Sequence, residues 1–137
     1  MRTTTLLFNL LLLLPLTLFA GETPSPEGAK VYFLDLKDGD KVKAPVLIRC
    51  RLTEQMGIAP ALADWPDTGH FHIILDDDVP NPNKAIPKKH IHFNLGQTEK
   101  TINLTKGKHT LQLVLGDYSH IPHDPPVMGE RITITVE

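Results

Sequence analysis

The sequence of 137 residues predicts an all-β fold. Short segments that alternate apolar and polar residues recur along the chain, and turns containing Gly, Pro or Asp separate them. No window of a dozen residues places its apolar side chains at the spacing of a helix. These observations predict one antiparallel β-sandwich of immunoglobulin-like type with about seven strands, although the Cys-Trp-Cys pattern of antibody domains is missing. A cupredoxin-like Greek-key barrel is the alternative.

Residues 1–20 have the composition of a secretory signal peptide. An apolar run over 6–19 is followed by Ala20, a small residue at the expected cleavage site. A retained membrane anchor is the alternative, but Pro15 and the shortness of the run favour a signal peptide. We therefore expect a periplasmic or secreted protein that begins near Gly21 and has no membrane span after cleavage.

Residues 21–28 form a short Pro-rich segment after the predicted signal peptide. Its composition predicts a disordered tail. The remaining residues, 29–137, suffice for one small hydrophobic core and are too few for two, so we predict a single domain.

The first two strands are predicted at 30–36 and 45–52, with an Asp-Gly turn at 37–40 between them. Alternation in the second strand places four residues on one face, namely Val46, Ile48, Cys50 and Leu52. We therefore predict that Cys50 is buried and acts as a small hydrophobic residue, rather than as a metal ligand or a nucleophile.

The third and fourth strands are predicted at 70–76 and 89–95. A long connection over 53–69, with one helical turn expected at 61–65, leads into the third strand. That strand alternates cleanly and ends at three consecutive aspartates, and a loop with three prolines precedes the fourth strand. The two strands follow one another in the chain and are expected to pair.

Three further strands complete the predicted sandwich. Those at 100–104 and 109–115 flank a turn that contains Gly at 105–108. A second long loop over 116–129 contains three prolines, and it leads to a final strand of alternating Ile, Val and Thr at 131–136.

Composition excludes several classes of function. The 14 Lys and Arg residues are interspersed among 16 Asp and Glu, and the net charge is −2, so no basic stripe is available for nucleic acid. A single Cys excludes disulfide scaffolds and Cys-rich zinc modules.

Histidines carry most of the functional information in this sequence. Six of the seven form three close pairs: His70 and His72, His90 and His92, His120 and His123. In the third predicted strand, Phe71 and Ile73 point toward the core, so the two histidines lie on the opposite face. The same parity holds in the fourth strand, where Ile91 and Phe93 point inward. We therefore expect both pairs on an exposed sheet face.

Two registers of the third and fourth strands are compatible with their pairing as antiparallel neighbours. One places His72 opposite His92, and the other places His72 opposite His90 and His70 opposite His92. Either brings at least three imidazoles within cross-strand distances of ~5 to ~8 Å. Such a group can bind copper or zinc and leave one position open. Alternatively, the histidines are solvated or hydrogen-bond to loop carbonyls.

The third pair, His120 and His123, lies in the long loop 116–129. In a seven-strand Greek key this loop lies at the same end as the connection that enters His70, and its prolines favour a fixed conformation. We therefore count His120 and His123 among the candidate metal ligands.

Two methionines and the seventh histidine have competing interpretations. Met56 and Met128 lie in the two long loops, where a thioether beside imidazoles would favour Cu(I), but core filling is the alternative for both. His109 shares the parity of Leu111 and Leu113, so we expect a buried, hydrogen-bonded residue rather than a ligand.

Several motifs of this chain resemble those of a known family. They are Thr-Gly-His-Phe-His at 68–72, His-Ile-His-Phe at 90–93, Gly-Gln-Thr-Glu at 96–99, His-Thr-Leu-Gln-Leu at 109–113, Leu-Gly-Asp at 115–117, and His-Ile-Pro-His-Asp-Pro-Pro-Val at 120–127. With these motifs, residues from about 29 to 136 resemble the small secreted bacterial family catalogued as domain of unknown function 4399. Phe71 and Asn94 depart from its usual pattern of three consecutive histidines and a Gly. The resemblance implies an exported bacterial domain and supplies no catalytic residue.

No enzymatic activity is expected from the sequence. Asp117, Ser119 and His120 are neighbours on one loop, an arrangement that rarely forms a catalytic triad. The aspartates at 76–78 lack the Gly-containing loop of a calcium site. We hypothesise an exported domain that binds copper or zinc through histidines. The alternative is an immunoglobulin-like interaction or structural module whose histidines organise the long loops. The sequence does not identify a periplasmic protein partner for such a module.

Overall fold

The computed structural model describes residues 22–137, so the predicted signal peptide lies outside the described residues. Strands dominate this part of the chain, which contains no helix and therefore none long enough to cross a membrane. The strands in chain order are β1 Val31–Phe33, β2 Lys41–Val42, β3 Val46–Leu52, β4 Gly57–Ile58, β5 Thr68–Leu75, β6 Ile91–His92, β7 Glu99–Ile102, β8 Gly107–Gly116 and β9 Ile132–Val136.

The strands form two open sheets, which confirms the all-β, sandwich-like prediction and leaves the barrel alternative without support. The smaller sheet has the order β1-β3-β7 and is antiparallel. The larger has the order β2-β9-β8-β5-β4, with β6 also paired to β5. Its central pairs are antiparallel, whereas the two-residue strands β2 and β4 pair in parallel with β9 and β5.

The main core contains the inward-facing residues of β3, β5, β8 and β9. Val46, Ile48 and Cys50 of β3 are buried, while Arg49 and Arg51 between them are exposed. Cys50 is 2% exposed, and burial raises the pKa of its thiol to about 12. The predicted inward orientation of Cys50 is therefore confirmed.

The outer face of the larger sheet differs from the prediction. Phe71 and Ile73 of β5 point into the main core as predicted, but His70 and His72 on the opposite face are 0% exposed rather than solvated. The long loops fold over this face. One of them packs Ile86 against Ile74 and Val114 in a second apolar cluster, so this sheet is covered on both sides.

The segment 22–28, predicted to be a disordered tail, instead pairs with the loop after β8. The amide of Ser25 donates to the carbonyl of Asp124 at 3.0 Å, and the amide of Asp124 donates to the carbonyl of Thr23 at 2.9 Å. The Thr23 hydroxyl also donates to a carboxylate oxygen of Asp117 at 2.8 Å. These long-range hydrogen bonds fix the segment, which its composition alone could not indicate.

Candidate metal centre

Strand β5 positions two of the candidate ligands, His70 and His72. Both imidazoles project from its outer face, and β5 pairs with β8 so that His70 lies opposite Gly116. A Cβ atom added at Gly116 would lie 2.5 Å from Cε1 of His72. Glycine is therefore required at 116 because the imidazole of His72 occupies the space a side chain would need.

The loop after β8 positions the third imidazole, that of His120. The buried carboxylate of Asp117 accepts hydrogen bonds from the amides of Ser119 at 2.8 Å and Ile121 at 3.0 Å. His120 has a φ of 66°, and its carbonyl accepts from the amide of Ile86 at 2.8 Å. The loop is thus fixed on both sides of His120, which turns the side chain toward β5.

The nitrogens of His70, His72 and His120 converge on one point, and we call these three residues the histidine cluster. Nδ1 of His120 lies 2.9 Å from Nε2 of His70 and 3.2 Å from Nε2 of His72. One ligand atom from each residue lies within 4.8 Å of the other two. In a tetrahedral zinc site with Zn–N distances near 2.05 Å, ligand nitrogens are about 3.3 Å apart. The observed spacing is close to that value.

The environment of the cluster favours neutral imidazoles. Burial lowers the pKa of His70 to about 4, and the nearby charge of His120 adds to the shift. Burial also lowers the pKa of His72, to about 2, with a further contribution from His70. The pKa of His120 is lowered by burial and by His92. Burial thus favours the neutral form of all three side chains, which is the form that carries the lone pairs a metal requires.

The outer nitrogens of two cluster residues have no partner among the described residues. Nδ1 of His70 and Nδ1 of His72 are buried without a hydrogen bond. Metal-binding histidines often donate this N–H to a carboxylate or carbonyl, which orients the ring. In this protein, packing and the convergence of the inner nitrogens hold the two rings instead.

His92 stands beside the cluster without completing it. Of the two registers considered, β5 and β6 adopt the one that places His72 opposite His92. The ring of His92 lies 4.5 Å from that of His72 and 5.1 Å from that of His120, between centroids. Its Nε2 lies 3.1 Å from the carbonyl of Pro87, to which it can donate. That contact anchors the preceding loop to β6.

The structure does not bring His90 and His123 into the cluster. Nδ1 of His90 accepts from the amide of Leu75 at 3.4 Å. His123 is 0% exposed, and its Nε2 lies 3.1 Å from the carbonyl of Thr68. Both side chains therefore tie loops to β5, which agrees with the alternative that histidines hold the long loops in place, although their partners are strand atoms rather than loop carbonyls.

His109 also lies apart from the cluster, as predicted. Its Nδ1 is 2.7 Å from a carboxylate oxygen of Asp76, and its Nε2 is 2.8 Å from the carbonyl of Thr105. The hydrogen bond to Asp76 is the main cause of its raised pKa. This contact joins the end of β5 to the start of β8.

The two methionines lie away from the cluster. Met56 is buried in the main core and lines a cleft with Cys50 and Phe71, so it is on the opposite side of β5 from the histidines. Met128 is 38% exposed and lies beside Val31 and Phe33. Core filling is therefore correct for Met56, and neither placement supports the thioether ligand that would favour Cu(I).

Two residues that shape the site, Asp117 and Thr23, were not singled out for that role from the sequence. Asp117 begins a turn in which its carboxylate binds amides two and four residues later, a local pattern typical of Asp. That local pattern could have indicated its role. The contact from Thr23 spans most of the chain and has no local signal.

Comparison with known proteins identifies the family. The sequence profile of the domain of unknown function DUF4399 matches residues 48–137, which is well over half of the chain and includes all seven histidines. The chain therefore belongs to this family, as its motifs predicted. No curated protein and no solved structure matches it.

Proposed function

We propose that this DUF4399 protein binds one divalent transition-metal ion, Zn²⁺ or Cu²⁺, through His70, His72 and His120. The observation that carries the proposal is the convergence of three ring nitrogens at 2.9 Å and 3.2 Å. Imidazole nitrogen is a preferred ligand of both ions, and three protein ligands leave a fourth position for water or another molecule.

Hydrogen bonding within the cluster does not by itself account for the arrangement. A neutral imidazole has one N–H and one acceptor nitrogen. If Nδ1 of His120 donates to the two Nε2 atoms, then His70 and His72 carry buried N–H groups without acceptors. If it accepts instead, their buried Nδ1 lone pairs are unpaired. A metal ion would use all three inner lone pairs at once, which one N–H shared between two acceptors cannot do, and this would offset part of the burial cost. The Nδ1–H groups of His70 and His72 would still lack acceptors.

The ligand set favours a divalent ion. Three imidazoles suit Zn²⁺ and Cu²⁺, whereas Cu(I) is selected by thioethers and thiolates. Met56 and Cys50 lie in the main core, on the other side of β5 from the cluster. The unpartnered outer nitrogens predict a modest affinity, because losing such partners typically weakens metal binding about 10–100-fold.

We also propose that the protein acts outside the cytoplasm. The support is the sequence pattern at 1–20, with its short apolar run followed by Ala20. Expression of the whole chain in a bacterium, followed by intact-mass measurement of the periplasmic fraction, should give a protein that begins near Gly21. Full-length chain in the membrane fraction would contradict this proposal.

Calorimetric titration of the purified, metal-free protein with ZnCl₂ and CuCl₂ at pH 7.5 tests the proposed site. We expect saturation near one equivalent. His120→Asn should lose most of the affinity, because Asn tolerates the positive φ of His120 but replaces the imidazole with an amide. His70→Gln should act in the same direction.

His109→Asn provides the matched control, because His109 lies outside the cluster and bonds to Asp76. It should bind the metal as the wild type does. Thermal unfolding of each variant checks that it is folded. The proposal is wrong if the wild type takes up no metal, or if His120→Asn and His70→Gln bind it as tightly.

A further inference from the structure

A cleft of about 660 Å³ opens beside the histidine cluster, between β6, β7 and the loop that precedes β6. His92 and His120 form part of its wall. Its size falls in the range of small-molecule sites, which combine apolar walls with a few polar groups. The cleft is distinct from the convergence point of the cluster, although the two share His120.

The walls of this cleft are largely apolar. Ile86, Ile91 and Ile102 line it, together with the aliphatic side chains of Ala85 and Pro87. Ile86 is buried under the cleft, while Ile91 and Ile102 are half-buried. A flexible apolar chain of a few carbons could replace water against these side chains.

The charged groups that line the cleft are all basic. Lys88 and Lys100 contribute to the wall, and the lining contains no Asp or Glu within the described part of the chain. Nζ of Lys100 donates to the carbonyl of His92 at 2.9 Å and lies over the ring of Phe93, 5.7 Å from its centroid. These two contacts fix its positive charge at the wall of the cleft. Lys88 forms no ion pair within residues 22–137, unlike its neighbour Lys89, which pairs with Asp77.

We infer that this cleft binds a small organic anion, a carboxylate with an apolar tail, between the isoleucines and the charges of Lys88 and Lys100. The net charge of the whole chain is −2, so the basic lining is a local feature. An acceptor-only carboxylate matches two ammonium groups, and a tail of a few carbons matches the apolar walls. The inference does not depend on a metal in the cluster.

A titration with hexanoate, monitored by NMR, tests the inference on protein that is kept metal-free with EDTA. We expect saturable shifts of residues around the cleft. Acetate, which has the charge without the tail, and 1-hexanol, which has the tail without the charge, should both bind more weakly. Raising the salt concentration should weaken the binding of hexanoate.

Lys88→Met should weaken hexanoate binding by about tenfold, because it removes one charge-assisted contact and keeps the aliphatic stem. Lys108→Met, at an exposed position of β8 away from the cleft, is the matched control and should leave the affinity unchanged. The inference is overturned if hexanoate does not bind, if Lys88→Met binds it as well as the control, or if acetate binds as tightly. Binding that requires added Zn²⁺ would also overturn it, whereas failure of the metal titrations alone would leave it standing.

Discussion

The hydroxyl of Thr23 donates a hydrogen bond of 2.8 Å to the carboxylate of Asp117, across most of the length of the described chain. The other oxygen of that carboxylate accepts from the amides of Ser119 and Ile121, on either side of His120. The N-terminal segment therefore contacts the residue that fixes the third imidazole of the cluster. This link connects the segment 22–28 with the proposed metal site.

Thr23→Val should lower both stability and metal affinity. The substitution keeps the shape of the side chain and removes one hydrogen bond to a carboxylate, which should reduce the free energy of unfolding by about 1–2 kcal/mol. Looser positioning of His120 should weaken zinc binding several-fold. Urea denaturation and calorimetry measure the two effects. Ser25→Ala, which removes an exposed hydrogen bond to the carbonyl of Pro125, is the control. Equal zinc affinities of the two variants would contradict the proposed effect of the Thr23–Asp117 hydrogen bond on His120.

Gly116→Ala should disrupt the cluster directly. The added Cβ would lie 2.5 Å from Cε1 of His72, a contact that only movement of the ring or the strand can relieve. We expect a loss of about 1–3 kcal/mol in the free energy of unfolding, together with loss of zinc binding. Gly57→Ala is the control, since its Cβ would meet only the methyl of Thr68 at 3.3 Å. Zinc binding by Gly116→Ala at wild-type affinity would refute the geometry.

The metal-free protein should lose stability in mild acid. The folded-state pKa values of His70 and His72, about 4 and about 2, lie below the unfolded value near 6.5. Between these values the unfolded chain binds more protons, so the free energy of unfolding falls as pH drops below about 6.5. Urea denaturation at pH 8, 6 and 4.5 measures the slope. His70→Gln should flatten it, and an unchanged slope in that variant would argue against the shift at His70.

His109 should show the opposite pH dependence. Its pKa is raised, mainly by the hydrogen bond from its ring to Asp76, so the stabilisation is fully present below the unfolded pKa near 6.5. It is lost as pH rises through the folded-state pKa. NMR titration of the ring protons should give a value above 6.5, and Asp76→Asn should bring it down. A value at or below 6.5 in the wild type would contradict the contact.

Cys50 should be inert toward thiol reagents in the folded protein. Its side chain is 2% exposed, and burial raises its pKa to about 12, so almost no thiolate is present at pH 8. Labelling with a chromogenic disulfide should be slow in buffer and fast in urea. Rapid labelling without denaturant would show that β3 opens locally or is oriented differently.

Strand parity and much of the strand pairing could be predicted from the sequence. Side chains alternate with a period of two, so Phe71 and Ile73 define the core face and place His70 and His72 on the other. The observed pairing of His72 with His92 is one of two registers that this parity allowed. The inward position of Cys50 follows from the same rule.

Which histidines meet depends on how the long loops fold over β5. Parity tells which face a side chain occupies, but not what covers that face, and the loops over β5 bury His70 and His72 where exposure was predicted. The paths of those loops depend on hydrogen bonds between distant residues, such as Thr23 with Asp117, which no local pattern encodes. For that reason the sequence offered six candidate ligands without separating them. In the structure three converge, His92 lies beside them, and His90 and His123 hold loops in place.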